Sequence, residues 1–321
     1  MSKVTPARRS QVIVVGTERY GLSGSGKVQP EKFFPVLRKS VLAAGGEFFV
    51  YPTVAQFKPR RGKHVHSVVI AVYREGAMDD ATFDEVRSLE SLVSELPGSL
   101  LVHPARLGAL VGDKAAAHGA LSALIPMPEI ASDGLVFSNS AFGSAEPVEI
   151  TSAEHAGNSG RYNRRFIDTG HEFRGASYYV CLRAMAVGEH MTDLFVRCRP
   201  TAEGNPAVHA KDIPLDPDLI AHLHETVAVP RTGEIAEICA RAGKVLGPGF
   251  YAYDILPQLS SGRSLVCEVN IKFHDWHVPG RLLPLADKVP IYRHLFTGQD
   301  MVRTVRAFVE MCRDHGYLTG G

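Results

Sequence analysis

Apolar residues in the first hundred positions fall into short continuous runs, separated by stretches that repeat every three to four residues. The runs Val12–Val15, Glu47–Tyr51 (EFFVY), Ser67–Val72 (SVVIAV) and Ser99–Val102 read as strands. Residues 31–44 and 79–95 read as helices. Pro30 suits the opening turn of the first, and the second starts on Asp79 and Asp80. Strands and helices alternating in this way predict an α/β domain, a small parallel sheet with helices on both faces.

The pattern changes after residue 112. Residues 113–124 (DKAAAHGALSAL) read as an amphipathic helix that Pro126 and Pro128 cannot continue. From 129 to 162 the signal weakens to two short strands, with a Gly/Asn/Ser loop at 154–163. An antiparallel region follows: RRFID (164–168), then YYVCLRAMAV (178–187) and TDLFVRCR (192–199) joined by a hairpin turn. Helices are expected at 216–227 and 231–245, and strands at 249–256 and 264–273. A loop rich in His, Pro and Gly covers 274–290, and a last helix runs over 291–314. The second part is thus predicted to be a mixed α+β domain.

Composition narrows the class. The 321 residues are 45% hydrophobic and 21% charged, enough apolar material for a full core. A formal net charge of +1 gives no global attraction to nucleic acid or to a membrane surface. No apolar run reaches the length of a membrane span. The five cysteines (181, 198, 239, 267 and 312) are scattered and never in C-x-x-C spacing. They read as free thiols in a reducing, cytoplasmic setting. Oligomeric state stays open, with a homodimer among the options.

Two stretches suggest chemistry. GLSGSGKV (21–28) looks like a phosphate loop, but Val28 stands where a Mg²⁺-binding hydroxyl belongs, and Thr17–Tyr20 separate it from the preceding strand. It reads better as an anion-holding loop for a substrate, using backbone N–H groups of Gly24, Ser25 and Gly26 together with Lys27. In SLVCEVNIKF, Leu265, Cys267, Val269 and Ile271 alternate with Ser264, Val266, Glu268, Asn270 and Lys272. Glu268 and Asn270 therefore share a face, and the preceding strand brings Asp254 across the hairpin. Two carboxylates and an amide oxygen form a donor set for a hard cation such as Mg²⁺. A solvated strand face is the plain alternative. Cys267 is assigned to the apolar face. FHDWHVPGR carries His274 and His277 in no standard metal spacing and reads as a substrate-side or surface loop. KPRRGKHVH (58–66) reads as a solvated basic loop.

YDILPQLSSGRSLVCEVN resembles the C-terminal signature of the ATP-grasp superfamily, in which an Asp on one strand and Glu-x-Asn on the next hold Mg²⁺ against ATP phosphates. The resemblance gives those roles to Asp254, Glu268 and Asn270. GDKAAAHGALSALIPMPE resembles the segment opening the nucleotide-binding half, with Lys114 at its nucleotide-contacting lysine. RRFID resembles the interdomain strand. Arg165, Phe166 and Ile167 would pair with adenine through their backbone, and Asp168 would lie near the ribose. LRAMAVGE and FVRCRP resemble the two strands bearing the phosphate and acyl-phosphate arginines, here Arg183 and Arg197. Lys211 falls where a further basic group often lies.

The resemblance runs through the whole chain in element order. It implies an α/β domain over 1–112 and an α+β ATP-grasp domain over 113–321, with a smaller lobe at 113–165 and a larger one at 166–321. The implied function is an ATP- and Mg²⁺-dependent ligase that activates a small-molecule carboxylate for attack by an amine or thiol. A small-molecule kinase on the same scaffold, or a non-catalytic binding protein, are the other readings. The sequence departs from the family in the segment between Lys114 and Arg165, which is short for a full nucleotide-binding lobe, and in one missing cation. The stretch 134–150 holds no lysine or arginine where a second phosphate-binding lysine is usual. The phosphate-covering loop has two candidates, 142–146 and 155–161.

Overall fold

The structure is a computed structural model that describes residues 9–18, 30–62, 64–73, 80–137, 149–151 and 162–318. The Gly24–Lys27 loop and both candidate phosphate-covering loops lie outside the described residues. The chain divides into two compact units. One comprises Met1–Ala109 and Met301–Gly321, the other Leu110–Asp300.

The first unit is built on four strands: β1 (Arg9–Gly16), β2 (Glu47–Tyr51), β3 (Val65–Val72) and β4 (Ser99–Val102). They lie in the order β2-β1-β3-β4, all parallel, with Val12 beside Phe48 and Val68. Val12 to Val15 and Val68 to Val72 are fully buried, as runs covered on both faces must be. Helices α1 (Pro30–Ala43) and α2 (Asp80–Ser94) are the crossovers, and α3 (Ala105–Gly112) follows β4. His103, just past β4, has φ of 62° and is fully buried.

The C-terminal segment, expected with the second domain, groups instead with this unit. Its helix α9 (Gln299–Asp314) buries Val305, Phe308 and Cys312, and Tyr317 donates to the carbonyl of Ser99. The single helix expected over 291–314 is broken. A short helix α8 (Arg293–Phe296) stops at Thr297, and Gly298 takes φ of 74° before α9 begins.

That second unit opens with α4 (Lys114–Leu121), whose N-cap Asp113 accepts from Ala116 N–H. Strands β5 (Ile130–Phe137), β6 (Glu149–Thr151) and β7 (Tyr162–Arg164) form a three-stranded sheet. The strand expected at 164–168 is therefore shifted. It ends at Arg164, and 165–169 lie outside any strand, with Arg165 N–H donating to the Glu129 carbonyl, before β8 (Gly170–Phe173), an element the sequence did not announce. The large antiparallel sheet has β8 paired to β9 (Ala176–Val187), followed by β10 (His190–Pro200), β11 (Phe250–Pro257) and β12 (Ser264–Ile271), in the order β10-β9-β11-β12.

One face of this sheet is covered by α5 (Pro217–Leu223) and α6 (Thr232–Leu246), which are linked by a π-helical turn, His224–Ala228. Ile235, Ile238, Cys239 and Ala242 bury the inner side of α6. The loop expected over 274–290 is also partly helical, with α7 (His277–Leu282) followed by a 3-10 turn. No helix among the described residues is long and apolar enough to cross a membrane.

Candidate functional site

The register of the antiparallel sheet assembles the site. Asp254 of β11 stands opposite Arg183 of β9 on one side and Glu268 of β12 on the other. Residues directly opposite across a ladder share a face. Arg197 of β10 stands opposite Cys181, two positions from Arg183, and Asn270 stands opposite Ala252, two positions from Asp254. Arg183, Arg197, Asp254, Glu268 and Asn270 thus project from the same face, the one turned away from α5 and α6.

The two arginines share two carboxylates, although Arg183 Nη1 and Arg197 Nε are buried without a well-aligned hydrogen bond. Arg183 Nη1 lies 2.9 Å and Arg197 Nη1 3.2 Å from Asp254 Oδ1. Their other ends meet Asp275 Oδ2, Arg183 through Nε at 3.1 Å and Arg197 through Nη2 at 2.7 Å. Asp275 is fully buried, and its Oδ1 accepts from the N–H groups of His277 and Val278, fixing the start of α7. Burial alone would raise the Asp275 pKa. Lys272, Arg197 and Arg183 outweigh it and hold the carboxyl well below the usual range. Burial alone would lower the Arg197 pKa, and Asp254 and Asp275 raise it instead.

Glu268 behaves in the opposite way. Burial pushes its pKa up and Asp254 pushes it further, against the pull of Lys114, Arg183 and an Asn270 hydrogen bond. Lys114, at the first position of α4, is buried, and its charge is the strongest influence favouring ionised Glu268. Two neighbouring carboxylates, one of them short of compensating charge, are the setting that a divalent cation relieves. Among the described residues no three His, Cys, Asp or Glu gather as a self-sufficient metal site. Asp254, Glu268 and Asn270 fit Mg²⁺, which takes one or two carboxylates and completes its shell with waters and phosphates.

A β-bulge corrects the face assigned to Cys267. Asp254 opposes Glu268 but Ile255 opposes Val266, so Cys267 is the extra residue. It lies at the edge of the charged group, close enough that Arg164, Glu268, Asp254 and Lys114 act on its thiol. Burial is the larger influence and raises the thiol pKa, so the sulfur is no ready nucleophile. Beyond the bulge the alternation reverses. Leu265, opposite Leu256, joins the site face, and Val266 goes to the core.

The other expected residues are placed as follows. Arg165 is exposed and ion-paired with Glu129 at 3.0 Å, Phe166 is 37% exposed and Ile167 is buried. Asp168 is exposed, and its Oδ1 accepts from Gly170 N–H at 2.8 Å. Lys211 is exposed on a 3-10 turn. His274 is half-buried. His277 stacks on Trp276 with ring centroids 3.6 Å apart. Partial desolvation of the ring, Lys272 and the two arginines bring the His277 pKa down to about 4.

His209 is a neighbour the sequence did not reveal, and Asp275, visible in the sequence only as part of the His-rich loop FHDWHVPGR, anchors both arginines. His209 adjoins the cluster, its ring subject to the charges of Asp254 and Arg197.

No protein-family model matches the chain, and no curated protein sequence matches it. In fold it is similar to solved ATP-grasp proteins. A RimK domain ATP-grasp protein from Sphaerobacter thermophilus shares 14% identity over 93% of this chain and 99% of that one, with a TM-score of 0.48. The ATP-grasp ligase PsnB, solved with a minimal precursor, Mg and ADP, shares 12% identity over 87% and 97%, with a TM-score of 0.49. The N5-carboxyaminoimidazole ribonucleotide synthetase from Thermotoga maritima shares 13% over 97% and 77%, with a TM-score of 0.48.

Proposed function

We propose that this chain is a divergent ATP-grasp ligase, using ATP and Mg²⁺ to activate a carboxylate as an acyl phosphate that an amine or similar nucleophile then attacks. One observation carries this reading. Asp254, Glu268 and Asn270 project from one face of adjoining strands, flanked by two buried, braced arginines and by Lys114.

Asp254, Glu268 and Asn270 would hold Mg²⁺, which would supply positive charge against the nucleotide phosphates. The chain's own groups do the rest. Arg183 and Arg197 offer planar donor forks fixed by Asp254 and Asp275, suited to the equatorial oxygens of a phosphoryl group in transfer. Lys114 serves the phosphate side and Lys211 adds an exposed cation. The backbone of Arg165, Phe166 and Ile167 pairs with adenine, and Asp168 meets the ribose. His274 and His277 border the substrate. The substrate carboxylate oxygen attacks the γ-phosphorus as ADP leaves, and the amine then displaces phosphate from the acyl carbon.

The test is thermal unfolding with and without Mg²⁺-ATP. Wild type gains stability only when both are present. The Glu268→Ala/Asn270→Ala double variant gains none. Unchanged Mg²⁺-ATP binding in that variant overturns the proposal.

A further inference from the structure

The large sheet borders a small concavity with a mixed polar and apolar lining. It lies where β8, the loop after β11 and the π-helical turn meet. Thr169, His171, Thr226, Val227, Arg231 and Leu259 line it, and it encloses about 80 Å³. That is room for several waters or one small polyatomic ion. Val180 also forms part of its wall and sits three positions from Arg183 on β9, so the pocket opens on the opposite face from the carboxylates.

Its chemistry is cationic and only partly satisfied. Arg231 Nη1 donates to the Val227 carbonyl at 3.0 Å, while its Nε is buried without a hydrogen-bond partner among the described residues. The fold thus leaves donor capacity of this guanidinium unused, which is costly for a buried group. Thr226 Oγ1 donates to the His222 carbonyl and so acts as acceptor toward His171 Nε2, 3.3 Å away. The His171 and His222 rings lie 5.6 Å apart.

Burial, His222 and Arg231 lower the His171 pKa, and of the charges acting on it only Glu172 opposes them. The backbone is special here as well. Thr226 and Val227 belong to a π-helical turn, a geometry that recurs at functional positions.

We propose that this pocket binds a tetrahedral oxyanion, a phosphate or the phosphoryl group of a small ester, between Arg231 and His171. The anion accepts from the guanidinium, and its charge favours protonated His171. The site is independent of the nucleotide reading, because it uses none of the same residues and lies across the sheet.

Inorganic phosphate, titrated into the full chain at constant ionic strength, tests it. The readouts are the melting temperature and the His171 ring-proton resonance, identified by its loss in His171→Gln. Saturable stabilisation is expected, with the His171 titration midpoint moving to higher pH. Arg231→Met weakens binding about tenfold or more, equivalent to about 1.4 kcal/mol. Arg231→Lys retains part of it and carries the test if the methionine variant fails to fold. Tighter binding of inorganic phosphate than of methyl phosphate identifies the free ion as occupant, and the reverse identifies an ester. A non-saturating response, an unmoved His171 resonance, or full binding in both Arg231 variants overturns the proposal.

Discussion

Arg197 Nη2 lies 2.7 Å from Asp275 Oδ2, joining residues 78 positions apart inside a fully buried contact. Asp275 also takes Arg183, so one carboxylate sets the orientation of both guanidinium groups. Asp275→Asn leaves two buried cations with Asp254 as their shared anion. Removing one partner from such a network costs about 3–5 kcal/mol. Urea unfolding is expected to show that loss. Because the wild-type carboxyl titrates below its ordinary value, its contribution persists above about pH 4 and disappears only in stronger acid.

Glu268 makes the contrary prediction. Its raised pKa means that ionised Glu268 is less comfortable folded than unfolded, so it costs stability once the pH exceeds the unfolded value. Glu268→Gln is expected to raise the melting temperature without Mg²⁺, by the equivalent of about 0.5–2 kcal/mol. The same variant loses the extra stabilisation that Mg²⁺-ATP gives wild type. A lower metal-free melting temperature would contradict the burial argument.

In the first unit, His103 is buried and its pKa is about 3, burial outweighing the hydrogen bond to the Ala71 carbonyl. The unfolded chain therefore takes up a proton below about pH 6.5 that the folded chain refuses until about pH 3. Stability falls across that window on acidification, by at most about 5 kcal/mol from this residue. His103→Asn, which tolerates the left-handed backbone there, is expected to flatten the curve. Guanidinium unfolding at a series of pH values in both proteins measures the difference.

Two glycines of α6 should respond oppositely to alanine. A Cβ at Gly243 would come within 2.4 Å of the Gly188 carbonyl oxygen, part of the β9–β10 turn. The helix-propensity gain of about 1 kcal/mol is outweighed by overpacking of about 1–3 kcal/mol. A Cβ at Gly233 meets nothing within 4 Å. Gly233→Ala should raise the melting temperature, by about 0.4–1 kcal/mol of stability, and Gly243→Ala should lower it.

The sequence carried elements whose signal is local. β2 and β4 fall at the expected residues because each is a short apolar run with clear ends. Asp254, Glu268 and Asn270 were legible because a hairpin and strict alternation bring them together over a short distance in the chain. The helix in 277–282 was masked by Pro279 and Gly280, and it starts because a buried Asp275 caps it. That cap, like the arginine brace, depends on long-range partners no spacing announces. The bulge at Cys267 defeated a two-residue period assumed to run unbroken, which put Leu265 on the wrong face.

The division of the chain has a consequence for synthesis. Leu110–Asp300 is contiguous, whereas the first unit draws on both Met1–Ala109 and Met301–Gly321. A ribosome working from the N-terminus delivers the parallel sheet first, yet α9 follows only after the whole of Leu110–Asp300. The later-made unit can therefore finish folding before the earlier-made one. Until then the apolar surface that Val305, Phe308 and Leu318 belong to lacks part of its cover.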